Sequence, residues 1–433
     1  MIAVLGRAWA LLLGMMLLQV GNGMQGTLIG VRGEIEGFST FELSLITSGY
    51  FLGFLGGSRM TAEFIRRVGH VRVFAALGSF TSAALILYPA ITDPYAWIIL
   101  RVIVGFCLSG LYVTAESWLN DTSTNETRGQ ALSLYMILQM AGIVAAQGMI
   151  NVADPAGYIL FIIPSVLVSI SFAPILLSVS PAPAFATAKP MSIGALYSKS
   201  PLAFVGMLLL GGVFSAQFGM SAVYAVQVGL SVAEVSAFVA SLFIGALILQ
   251  YPIGWLSDRM DRRILILVSA AAGCVGTVIG LFFGGGFVSL LVAGFLVGGV
   301  SNPLYSLLIA YLNDYLEIEE MASAAGGLVF VNGLGAIAGP LVTGWIMGLL
   351  GPQGFWVLLT SLMAALGIYT AYRMTQRPSV YAEDDDYEAV AYTAVVPGAT
   401  PLAVEVAQEV YIDNVTDEAG NVAEGEGPVA NAG

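Results

Sequence analysis

The stretches GFSTFELSLITSGYFLG at 37–53 and GLSVAEVSAFVASLFIG at 229–245 are two versions of one passage. Gly37-Phe-Ser39-x-x-Glu42-Leu-Ser44 pairs with Gly229-Leu-Ser231-x-x-Glu234-Val-Ser236, and Phe51-Leu-Gly53 pairs with Phe243-Ile-Gly245, at a shift of 192 (229 − 37). Each version begins with Ser-x-x-Glu, the capping box in which the two side chains satisfy free amides at a helix start. An apolar run follows, so each passage opens a helix. The register extends outward. Gln25 pairs with Gln217 at the same shift. One residue further out of step, Leu111-Tyr112 and Leu119-Asn120-Asp121 pair with Leu304-Tyr305 and Leu312-Asn313-Asp314, and Gly142 pairs with Gly335. A series in one register marks an internal duplication.

The 433 residues are 58% hydrophobic and 10% charged, against about 25% charged in soluble domains. Apolar blocks of about twenty residues, the length that crosses a bilayer's hydrocarbon core, recur along nearly the whole chain. We place twelve at roughly 8–30, 41–63, 71–91, 95–118, 128–151, 157–178, 201–226, 234–256, 264–284, 287–311, 322–348 and 353–374. The first continues to Ile29, longer than a secretory signal core, and reads as a span. The expected fold is an all-α integral membrane protein of two pseudo-symmetric six-helix bundles, 1–178 and 201–375, joined by a Pro- and Ala-rich linker at 179–200. Tandem halves of this kind are related by an axis along the membrane normal, which allows two bundles to rock about a central site.

With the N-terminus inside, one side receives Arg7, Arg59, Arg66, Arg67, Arg72, Arg128, Lys189, Lys199, Arg259, Arg262, Arg263, Arg373 and Arg377; the remaining bases are Arg32, on the other side, and Arg101, within a span. The positive-inside rule then makes both termini and the linker cytoplasmic. The net charge of −13 belongs to the segment 376–433, which holds twelve acids and no Lys or Arg after Arg377; without them 16 acids (28 − 12) face 15 bases. That segment lacks an apolar period and reads as a disordered tail. There is no basic surface for nucleic acid. Cys107 and Cys274 lie in apolar blocks, and the single histidine, His70, is read as part of a basic loop, so no metal or other cofactor is expected.

Gly254-Trp-Leu-Ser-Asp258-Arg259-Met-Asp261-Arg262-Arg263 follows the eighth span. It resembles the loop signature G-x-L-x-D-R-x-G-R-R of the major facilitator superfamily, with Asp261 at the second glycine. The equivalent loop after span two, Arg66-Arg67-Val-Gly69-His70-Val-Arg72, keeps Arg-x-Gly but carries Arg66 where the family has Asp. Arg101-x-x-x-Gly105 is similar to the superfamily's fourth-helix motif, and Ala115-Glu116-Ser117 resembles the YcaD-type branch of permeases. The resemblance covers both halves but not the tail. It implies a twelve-helix transporter in a bacterial inner membrane, working by alternating access. The gating residues it selects are Arg66, Arg67, Gly69, Gly254, Asp258, Arg259, Arg262 and Arg263. Pairs made by these groups can hold one access state and break in the other; positive charges that only set topology are the other reading.

Ionisable groups at membrane depth are costly, so each is a functional candidate. Arg101, Gly105, Tyr112 and Glu116 share a helical stripe. Arg101 suits an anionic group or the control of a nearby acid; Glu116, nearer the basic side, suits a proton carrier. Both also suit a structural network with Asn120 and Asp121. Family helices one, four, seven and ten line the central cavity, which adds Asn22, Gln25, Gln217, Asn302 and Tyr305 as substrate contacts, with interhelical hydrogen bonding as the alternative. Glu42 and Glu234 are read as helix caps.

The expected function is a secondary transporter, a monomer in the lipid bilayer, moving a small-molecule substrate with protons. No P-loop supports ATP hydrolysis, and no nucleophile pair or metal cluster supports an enzyme. The competing reading is a membrane sensor or scaffold of transporter fold that signals through its acidic tail.

Overall fold

In the computed structural model, which describes residues 2–122, 125–173, 191–377, 400–404 and 406, both Ser-x-x-Glu passages start helices. The Ser39 and Ser231 amides donate to Glu42 and Glu234 at 2.7 and 2.9 Å, completing both capping boxes. Two residues before each box the chain must turn back sharply. Gly37 and Gly229 do this at φ +78° and +83°, a region open to glycine but strained for side-chain-bearing residues.

The elements are α1 (Ile2–Ile35), α2 (Thr40–Val68), α3 (His70–Leu87), α4 (Pro94–Thr122), α5 (Asn125–Met149), α6 (Ile159–Ser171), a short α7 (Ile193–Lys199), α8 (Pro201–Gln227), α9 (Val232–Ser257), α10 (Arg262–Phe283), α11 (Phe287–Asn313), α12 (Ile318–Leu350) and α13 (Gly354–Gln376). The protein is all-helical among its described residues. Among the described residues nine of these helices are long and apolar enough to cross a membrane: α3, α4, α5 and α8 to α13. The other three expected spans fall on α6, described as a 13-residue apolar helix, and on α1 and α2. Gln19, Asn22 and Gln25 dilute the apolar run of α1, and all three are buried inside the bundle.

The halves pack alike. α2 lies on α4 as α9 lies on α11; α1 on α5 as α8 on α12; α3 on α4 as α10 on α11; and α1 on α6 as α8 on α13. Small residues set these approaches. Gly53 and Gly105 meet the carbonyls of Val102 and Tyr50 between α2 and α4, and Gly245 and Gly298 meet those of Phe295 and Leu242 between α9 and α11. Gly142 and Gly335 meet the carbonyls of Met16 and Leu208 in the same paired fashion. Every one of these contacts obeys the sequence repeat. Backbone-to-backbone packing of this kind is how apolar helices associate where there is no water to drive them together.

The two halves meet through α2 with α12, α5 with α9, and α1 with α8. At the end carrying the Gly37 and Gly229 turns the seam is closed. Gln227 donates to Glu34 and Thr40 at 2.7 Å each, Ser48 donates to the Ile337 carbonyl at 2.9 Å, and Gly30 and Gly344 admit Ala222 and Ser44. The opposite end carries the basic loops.

Three expectations change. His70 is not in a loop: it opens α3, is buried, and its Nε2 lies 2.9 Å from Ser117 Oγ on α4, while Gly69 at φ +84° makes the turn. Most of the 179–200 linker and part of the sixth expected span lie outside the described residues, but 193–199 form α7. Finally, disorder does not hold for the whole tail, because residues 400–404 include a helical turn buried against the bundle.

Gly298→Val would drive a side chain into the Leu242 carbonyl, which cannot yield as a flexible side chain does. We expect it to lower stability by about 3 kcal/mol or more, while Gly348→Ala, which meets nothing within 4 Å, leaves it unchanged. Thermal unfolding in detergent measures both.

Candidate functional site

α1 cannot leave Gln19, Asn22 and Gln25 without partners in hydrocarbon, since an unsatisfied buried amide costs several kcal/mol. Their spacing of three places them along one side of the helix, and α2 and α4 supply the partners. Asn22 Nδ2 donates to the hydroxyls of Tyr112 at 3.1 Å and Tyr50 at 3.3 Å. The Tyr112 hydroxyl donates to Gln19 Oε1 at 2.5 Å. Arg101 Nη1 donates to Gln25 Oε1 at 2.6 Å, and its guanidinium lies 4.6 Å from the centre of the Tyr50 ring. A buried guanidinium held by an amide and an aromatic face keeps its charge at lower cost. The Gly53–Gly105 approach of α2 to α4 is what brings Tyr50 within reach.

A cavity of about 70 Å³ opens beside this network, between the halves. The first half lines it with Gln19, Asn22, Tyr50, Phe54, Tyr112 and Gln139 among others, and the second with Phe214, Phe218, Phe243 and Asn332 among others. Its lining follows the repeat: Gln139 faces the cavity with its mate Asn332, Phe51 with Phe243, and Ile143 with Ala336. Tyr50 and Phe218 stack across the seam with ring centres 5.7 Å apart. Among the described residues the lining contains no Asp, Glu, Lys, Arg or His. Asn22 Oδ1 is buried and has no hydrogen-bond partner among the described residues. The site therefore offers amide and phenol groups and aromatic faces, with no fixed charge.

Asn22 and Tyr112 are the sequence-selected substrate residues that line this cavity. Arg101 and Gln25 sit together behind it. In the second half Gln217 accepts from Ser301 Oγ at 3.1 Å where α8 widens into a π turn at Ala216–Met220, Asn302 donates to the Gly298 carbonyl at 3.3 Å, and Tyr305 is fully buried. π turns commonly mark functional positions. Glu116 lies four residues from Tyr112, buried, and accepts from the Tyr135 hydroxyl at 3.0 Å and from Thr400.

The basic loops behave differently in the two halves. Arg66 and Arg67 pair with Glu63 on their own helix at 2.5 and 2.6 Å, in solvent. In the second copy Arg262 is buried. It bonds Ser257 at 3.1 Å, the Ala310 carbonyl at 3.2 Å and the Asp314 carboxylate, and lies 3.8 Å from Asp258. Arg263 pairs with Asp261 at 2.8 Å and donates to the Arg377 carbonyl at 2.7 Å. Arg259 lies over Trp255. Gly254 is buried in the last turn of α9. Sequence reasoning missed Gln19, Tyr50, Gln139, Asn332 and the aromatic walls. The signal was present: Gln139 and Asn332 are in-register polar mates (332 − 139 = 193) inside spans.

Paired six-helix bundles with a cavity at their seam define a polytopic solute-transporter architecture. The sequence profile of the Major Facilitator Superfamily matches residues 11–239 and 202–404, and the chain belongs to that family. It is 24% identical over 344 residues to an uncharacterized MFS-type transporter of Yersinia pestis, covering 78% of this chain and 88% of the relative. It is 23% identical over 341 residues to the uncharacterized MFS-type transporter YcaD of Salmonella arizonae, with the same coverage. Among solved structures it resembles a variant of the nucleoside transporter NupG at TM-score 0.72 and 14% identity, over 84% of this chain and 99% of that one. The protein is a multi-pass membrane transporter and not an enzyme.

Gln25→Leu would leave the Arg101 guanidinium without its amide acceptor. We expect a loss of about 2–3 kcal/mol, with Arg101→Met, which removes the charge too, costing less than Gln25→Leu. Thermal unfolding in detergent ranks the two variants.

Proposed function

We propose that this chain is a secondary active transporter that carries a small uncharged solute by alternating access, coupled to protons. The observation that supports it best is the cavity lined by repeat-related residues of both halves, with amide groups on both sides and no charged side chain. Rocking of the halves would expose such a site to one side and then the other. With the turn end closed, the route to the cavity in this state runs from the basic end, which the positive-inside rule assigns to the cytoplasm. Both termini then lie on the cytoplasmic side of a bacterial inner membrane, and one chain suffices, since it supplies both walls.

The aromatic walls suit the face of a ring, and Gln19, Asn22, Gln139 and Asn332 suit hydroxyl or amide groups on its edge. Arg101 holds Gln25 and Tyr50 in place behind this site. Glu116, one helical turn from Tyr112, is positioned to carry the coupling proton. Asp258, Arg259, Arg262 and Arg263, with Arg66, Arg67, Gly69 and Gly254, take the gating role at the cytoplasmic ends of the helices, through pairs that hold one access state and break in the other.

The test is thermal unfolding of the purified protein with uncharged ring-bearing probes (uridine, phenyl glucoside), organic anions (benzoate, citrate) and lipophilic cations. An uncharged probe at 100 times its Kd raises stability by about 2.7 kcal/mol. We expect that shift to vanish in Asn22→Ala and Asn332→Ala. A shift confined to anions, and lost in Arg101→Ala, overturns the uncharged-solute reading. If Glu116 carries the proton, binding tightens as pH falls, and Glu116→Gln binds alike at every pH. Persistent pH dependence in Glu116→Gln removes that residue from coupling.

A further inference from the structure

The acidic tail contains one segment that the transporter reading does not absorb. At Thr400-Pro401-Leu402-Ala403-Val404 the Thr400 hydroxyl accepts from the Ala403 amide at 3.5 Å, and the Thr400 carbonyl accepts from Val404 at 3.3 Å. Proline at the first helical position loses no bond, because that amide is unpaired in any helix. A turn this short has no stability of its own, so its order comes from where it docks. Leu402, Ala403, Val404 and Val406 are all buried, and all but Val406 belong to that turn. Ala403 and Val406 close a narrow cleft with Glu116, Leu119 and Asn120 of α4 and Arg128 and Leu132 of α5. The Thr400 hydroxyl donates to the Glu116 carboxylate.

The depth of this contact matters. Tyr112 and Gln139 line the central cavity. Glu116 and Tyr135, which bond each other, lie four residues further along α4 and four residues back along α5, so both sit one turn, about 6 Å, nearer the basic end. The tail segment is therefore seated on the first half's α4 and α5 about one turn nearer the basic end than the residues with which these helices line the cavity. The charges favour this position as well: the tail carries twelve acids and no base, and the loops at that end hold most of the chain's Lys and Arg.

We propose that residues 400–404, with Val406, are a built-in plug. Docked between α4 and α5, the segment closes the basic-end route to the cavity and occupies Glu116; leaving, it opens the route and frees the carboxylate. The seat is apolar for Leu402, Val404 and Val406 and polar for Thr400. The acidic flanks add an attraction to the basic loops that salt screens. The geometry of docking is independent of the transporter reading; only its consequence, a block on flux, rests on that reading.

The experiment uses the full chain in inside-out vesicles, with Cys107→Ala and Cys274→Ala as background. A cysteine is placed in the cavity wall by Ser58→Cys and labelled with a membrane-impermeant maleimide. If the plug is docked about nine-tenths of the time, freeing it raises the labelling rate about tenfold. We expect that rise on truncation after Arg377 and in the Leu402→Asp, Val404→Asp chain. Added salt should speed labelling of the full chain and not of the truncated one. A second pair in the same background, Leu119→Cys with Ala403→Cys, should form an intramolecular disulfide on oxidation. Equal labelling rates in the full, substituted and truncated chains overturn the plug, as does failure of the pair to cross-link in a chain that folds normally. Labelling needs no substrate. A tail effect without binding of any probe in the thermal panel would keep the plug and count against transport. Probe binding with no tail effect would do the reverse.

Discussion

Water is absent from the middle of a bilayer, so every polar group the chain carries there must be satisfied by the chain itself or by a bound molecule. α1 brings three such groups, Gln19, Asn22 and Gln25, and the first half is organised by the need to answer them. Tyr50 of α2 and Tyr112 and Arg101 of α4 do so. They can only do so because Gly53 and Gly105 let α2 and α4 come into backbone contact. The remaining acceptor, Asn22 Oδ1, lies in the residue that lines the cavity. Packing and site thus share one cause.

The second half repeats the packing and not the chemistry. Gly245, Gly298 and Gly335 reproduce the contacts of Gly53, Gly105 and Gly142. Yet Phe214 stands at the mate of Asn22, Gly294 at the mate of Arg101 and Ile309 at the mate of Glu116. Duplication preserved what the backbone needs for close approach and left the inward side chains free to diverge. Aromatic rings stand on both walls, while most of the hydrogen-bonding groups among the described lining residues come from the first half, an arrangement that suits a solute with an apolar face and a polar edge.

The basic end shows a similar division of labour. The Glu63 pairs of Arg66 and Arg67 are exposed and contribute little to stability. Arg262, by contrast, is buried and joins the start of α10 to the end of α11. A loop motif with the same charge pattern is therefore a surface feature in one half and a structural bolt in the other. Asp314 is the repeat mate of Asp121, whereas Arg262 is the mate of His70 (262 − 70 = 192), so what differs is the base that opens α10 in place of the histidine that opens α3. Thr400 of the tail adds a further contact at this end, with Glu116.

Local signals in the sequence determined a great deal. Apolar runs, capping boxes, Lys and Arg asymmetry and the in-register repeat defined a duplicated helical membrane protein, because each depends on spacing along one helix or on composition. The same spacing put Arg101, Tyr112 and Glu116 on one stripe and Asn22 and Gln25 on α1. Tertiary structure alone decided which of them meet a cavity. Arg101 is turned toward Gln25 and Tyr50, so the cavity wall is uncharged, while Gln139, Asn332 and the phenylalanines complete it. It also decided that His70 is buried against Ser117 and that Thr400 reaches Glu116, 284 residues away in sequence. Such contacts depend on helix rotation and on how closely glycines let helices approach, and neither is encoded within a single helix.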